Sequence, residues 1–137
     1  MKKTQNNFKA CDLENIFIDK DFISWTEELN IVTVEIEFCQ NLFISILNDV
    51  DASYQSKYNN IIEKLRLLKN ENNQIKKELF ALGIQFEGYV ECQDMQCDNY
   101  YMVMHLAFRD RIEQHFSIYS KLKKKLLLKI NKENPKN

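Results

Sequence analysis

Glycine and proline are almost missing from this chain: Gly83, Gly88 and Pro135 are the whole supply in 137 residues. Average usage is about 7% Gly and about 5% Pro. So few turn-formers cannot easily serve a many-stranded sandwich or barrel, and they exclude collagen-like, Pro-rich and Gly/Ser-linker classes. With glycines only at 83 and 88 there is no GxGxxG and no GxxxxGK[ST], which removes dinucleotide-binding and P-loop enzymes. A dominant charge is missing as well, with 19 basic against 20 acidic side chains. A phosphate-backbone binder is expected to be more basic than a chain of pI about 6.1. Unbroken apolar runs are only a few residues long, against the roughly 20 that span a bilayer. The N-terminal lysines are followed by no secretory apolar segment. These absences lead to the expectation of a cytoplasmic protein with no membrane span, in which Cys11, Cys39, Cys92 and Cys97 stay as free thiols.

What is present points to helices. The chain is 45% hydrophobic and 28% charged, too apolar for disorder and long enough to bury a core. From Phe22 a stripe runs Trp25, Leu29, Val32, Ile36, Cys39, Phe43, Ile46 and Val50, alternating steps of three and four. This predicts a first helix over about 20–50, capped by Asp19 or Asp21, with Ser24 and Glu27 at capping-box spacing. A break at Asn48-Asp49-Val50-Asp51 leads to a second helix over 52–82. Its seam is Tyr54, Tyr58, Ile61, Leu65, Leu68, Asn72, Ile75, Leu79 and Leu82, and Gly83 is its expected stop. A lone Asn in such a seam has two readings: it fixes register at a cost in stability, or it turns to solvent at a frayed contact.

Residues 83–97 have no sustained period and read as a long connection, whose Phe86, Tyr89 and Val90 can fold over the end of the bundle. Asp98 is the expected cap of a third helix over 98–131, with Tyr101, Met104, Phe108, Ile112, His115, Tyr119, Leu122, Leu126 and Ile130 on one arc. The expectation is one all-α domain, 1–137: an antiparallel bundle of three long helices with coiled-coil-like packing and room for a short fourth segment.

Charge is unevenly spread. Residues 11–51 hold ten acidic side chains and one lysine, whereas residues 121–137 hold seven lysines and one glutamate. The run KLKKKLLLKI, Lys121–Ile130, has the make-up of a membrane-surface or nucleic-acid helix. Lysines near a helix C-terminus also complement its dipole, which is reason enough for them.

No complete catalytic or metal motif is visible. His105 and His115 lack the Glu-x-x-His of a di-iron bundle. Glu28 and Glu35 are the most site-like carboxylates, and they also read as an acidic edge beside the core. Cys92, Cys97, His105 and His115 are an inventory zinc can use, in no finger or ribbon spacing. No cofactor is implied. In RDRIEQH, Arg109 and His115 have five residues between them, a spacing that resembles the Arg-x(4-6)-His motif of HEPN-domain ribonucleases, which are all-helical and of similar size. The resemblance implies metal-independent RNA cleavage, His115 as acid/base and Arg109 stabilising the phosphorane. The commonest form has four intervening residues rather than five, and an imidazole on an apolar arc also reads as a core group. A broader resemblance is carried by WTEELNIVTVEIEFCQNLF, with Trp25, Glu28, Leu29, Glu35 and Leu42, and the two helical patterns after it. It is similar to a group of small bacterial helical proteins that bring no assigned activity. The favoured expectation is a non-catalytic helical bundle working through a protein partner or self-association, with the ribonuclease, and hence nucleic acid, as the alternative.

Overall fold

The computed structural model describes residues 10–87 and 95–133, and side-chain surroundings for 20–87 and 99–132. It is all-α, with three long helices: α1 Ala10–Asp49, α2 Ala52–Glu87 and α3 Met95–Glu133. No strand occurs among the described residues. The chain divides between Met102 and Val103 into two compact units, the first holding α1, α2 and the start of α3, the second the rest of α3.

In the first unit α1 and α2 form an antiparallel hairpin. Asn48, Asp49 and Asp51 offer the backbone side-chain alternatives to helix, and α2 restarts with a hydrogen bond from the Tyr54 N–H to the Asp51 carbonyl, 2.9 Å. Beside this turn the Phe43 and Tyr58 rings meet at 5.9 Å. At the far end Phe22 stacks on Phe86, with centroids 5.1 Å apart. Tyr101, on the first turns of α3, meets Phe86 edge-on at 5.0 Å. Between these aromatic ends Leu29, Ile36, Phe43, Tyr58, Leu65 and Ile75 are sealed from solvent. Cys39 is buried in the same stripe and takes part in no disulfide.

Asn72 belongs to this core: it is 0% exposed. Its Nδ2 donates to the Leu29 carbonyl at 3.0 Å and to Thr33 Oγ1 at 2.9 Å, while the Thr33 hydroxyl donates to the same carbonyl at 3.0 Å. The amide thereby clasps one turn of α1. Sliding α2 along α1 would bury the amide away from these acceptors, a loss of about 1–3 kcal/mol, so the contact sets the hairpin register. The Lys69–Glu37 pair at 3.4 Å also crosses the hairpin, but a partly exposed pair adds little.

The helices run longer than their sequence signals. α1 begins at Ala10, so Asp19, Asp21, Ser24 and Glu27 lie inside it rather than at its cap. No glycine or proline interrupts residues 10–49, and cap-forming side chains do not stop a helix that tertiary burial sustains. Likewise α3 starts at Met95, placing Asp98 within its first turn. Gly83 does not end α2, which continues to Glu87. Its φ is negative, and Phe86, one turn beyond it, is anchored in the aromatic cluster. That burial outweighs the cost of about 1 kcal/mol for a helical glycine. Of the expected 83–97 connection, residues 88–94, with Tyr89, Val90 and Cys92, lie outside the described residues. Tyr54, assigned to the seam by spacing, is exposed on the first turn of α2.

A Cβ at Gly83 would meet only Phe22 ring atoms at 3.9–4.0 Å, an ordinary contact. Gly83→Ala is therefore expected to stabilise the protein by about 0.5–1 kcal/mol. Chemical denaturation with an unchanged slope measures it.

In the second unit, α3 carries a stripe of buried residues, His105, Phe108, Ile112, His115, Tyr119 and Leu126. Lys123 Nζ lies over the Tyr119 ring, 5.8 Å from its centroid. Only Lys132 stands in the last turn, so most of the Lys121–Ile130 run sits further back along the helix.

Candidate interaction surface

Among the described residues, those with catalytic or metal potential do not converge. Arg109 and His115 occupy one uninterrupted helix, and six residues of it separate them by about 9 Å of rise and about 120° of rotation. Arg109 is exposed and pairs with Glu113 one turn on, Nε to Oε2 3.4 Å. His115 is 3% exposed and touches the Phe116 ring, with centroids 5.9 Å apart. One faces solvent and the other lies on the buried stripe, so a single phosphate bridging them on this helix has no geometric support.

His105 and His115 are both buried on α3, and ten residues place them about 15 Å apart along the axis. Cys97 falls in the first turn of α3 and Cys92 outside the described residues. Among the described residues no three His, Cys, Asp or Glu side chains are grouped to hold a metal ion. Glu28 is exposed and Glu35 half-buried, both on α1. Glu63, on α2, has its carboxyl held below the usual range, chiefly by the hydrogen bond from the Arg66 guanidinium one turn away; this is a surface pair, not a site.

What the helices do present is apolar surface. Along α1 the residues facing α2 are one stripe, and a second lies about 160° around the helix. It consists of Ile31, Val34 and Phe38, with Ile23 in line, and Val34 and Phe38 are each 66% exposed. Glu27 and Glu28 stand one turn before it. Sequence reasoning followed the strict seam and missed this second stripe. The signal was available: in NIVTVEIEF the apolar residues exceed what one helix face needs, which marks a helix buried on more than one side. A second feature is an open groove of about 380 Å³ between α1 and α2, walled by Phe22, Leu29, Leu79, Phe80 and Ile84, with Lys76 and Glu87 on its margin. Its polar groups are too few and too separate for acid/base chemistry, and its exposed Phe80 and Ile84 add to the open apolar area.

The same surplus gives α1 another property. Its segment Lys20–Asp49 is long and apolar enough to cross a membrane by length and composition, with a mean hydropathy of 1.3 over its most apolar window. Unbroken runs conceal this, because Glu35 and Glu37 divide the window without lowering its average far. No protein family, curated protein or solved structure matches this chain.

Proposed function

We propose that the protein is a non-catalytic helical interaction module that self-associates through the outer face of α1. The observation that carries this reading is the Ile31, Val34, Phe38 stripe, standing opposite a face already occupied by α2. Apolar side chains at helical spacing, flanked by charges, are what a helix offers to another helix. A bilayer is a poorer occupant. Glu27, Glu35 and Glu37 are distributed around α1, and carboxylates at membrane depth are expensive; α1 also holds the buried Asn72 contact on its other side.

Sedimentation velocity over a range of protein concentrations tests the proposal. The wild type is expected to associate as concentration rises, and Val34→Asp to remain monomeric with an unchanged melting temperature, since the position bears little of the core. A wild type that stays monomeric throughout, or a Val34→Asp variant that associates equally well, contradicts it.

A further inference from the structure

The open stripe on α1 has a chemical counterpart on α3. Between Asp21 and Asn48 helix α1 carries no basic residue, so the charges that α1 itself sets around Ile31, Val34 and Phe38 are all acidic, and Lys69 of α2 meets only Glu37 among them. Between Phe116 and Lys132 helix α3 carries no acidic residue. In that stretch Ile118, Lys121, Lys125, Leu128 and Lys132 follow one another at steps of three, four, three and four, which sets them on one line of the helix. All five are exposed, Ile118 at 60% and Leu128 at 62%. This line is separate from the buried stripe through Ile112, His115, Tyr119 and Leu126.

From these two lines we infer that the partner of the α1 outer face is the lysine-bearing half of α3 from a second copy of the chain. The inference rests on the self-association reading above and specifies its pairing. Two α1 faces brought together would pack one acidic stretch, 21–48, against another with no lysine on either, and two α3 lines would oppose lysine to lysine. Like charges across a seam are destabilising, whereas flanking Glu and Lys pairs select partner and orientation. The mixed pairing buries Ile31, Val34 and Phe38 against Ile118 and Leu128 while opposing Glu27 and Glu28 to lysines. Each copy supplies one line of each kind, so every copy is both donor and acceptor of this contact. Both lines are exposed within the single chain, which leaves them available to it.

Charge reversal decides the matter, read by sedimentation velocity at low and high salt with melting temperatures as the folding control. The wild type is expected to associate more weakly as salt rises. Lys121→Glu/Lys125→Glu should weaken association by about tenfold or more, and mixing that variant with Glu27→Lys/Glu28→Lys should restore it, while each reversed variant alone stays dissociated. Association that ignores both salt and Lys121→Glu/Lys125→Glu overturns this pairing and leaves self-association standing. A wild type that is monomeric under all conditions overturns both. Monomeric protein that cosediments with phosphatidylserine vesicles would give the lysine line to a lipid surface and likewise overturn the pairing.

Discussion

Phe43→Ala is expected to destabilise the protein by about 3–5 kcal/mol, the range for truncating a fully buried large aromatic. Phe43 has no exposure, and its ring meets Tyr58 where the hairpin turns. Removing it leaves a cavity that α1 and α2 cannot easily collapse, because the short Val50-Asp51 link holds them together at that end. Urea titration followed by helical circular dichroism measures the loss. A change below about 1 kcal/mol is what an exposed position gives and would place the stripe outside the core.

The second large effect belongs to Asn72→Asp, an isosteric change that replaces two N–H donors by a carboxylate. The new oxygen would face the Leu29 carbonyl where Nδ2 now donates. A charge buried against a carbonyl oxygen costs on the order of 3–5 kcal/mol at neutral pH. Because folding disfavours the ionised form, the folded-state pKa of the introduced aspartate rises above its unfolded value of about 3.9. The deficit is therefore smallest below that pH, where the protonated acid donates its O–H. It grows as the pH climbs, until the folded-state group is ionised as well. Wild type and variant should thus differ least in acid and most near neutrality. A pH-independent difference would mean that Asn72 acts by shape alone.

Much of the hairpin was legible in the sequence because its determinants are periodic. Leu29, Val32, Ile36, Cys39 and Phe43 recur at the spacing of one helix face, and their burial follows from it. Asn72 was legible as an anomaly in a seam, but its meaning was not, since Leu29 and Thr33 lie far from it in the chain and only the antiparallel register brings them within 3 Å. Helix ends were the weakest reading. Gly83 and Asp98 carry strong local boundary signals, and burial of Phe86 overrides the first. The outer α1 stripe escaped for a different reason: a seam found at heptad spacing accounts for some of the apolar residues, and the remainder at Ile31, Val34 and Phe38 asks for a second explanation. The Arg109–His115 pair illustrates the converse, a motif spacing that an unbroken helix turns to opposite environments.

On this proposal α1 works on two sides, one within the chain and one between chains. Amide hydrogen exchange resolved by peptide and followed across protein concentration tests it most directly. Protection over residues 30–42 is expected to rise with concentration, while protection over the α2 core, 61–76, does not change. Exchange over residues 30–42 that is the same at every concentration would contradict it.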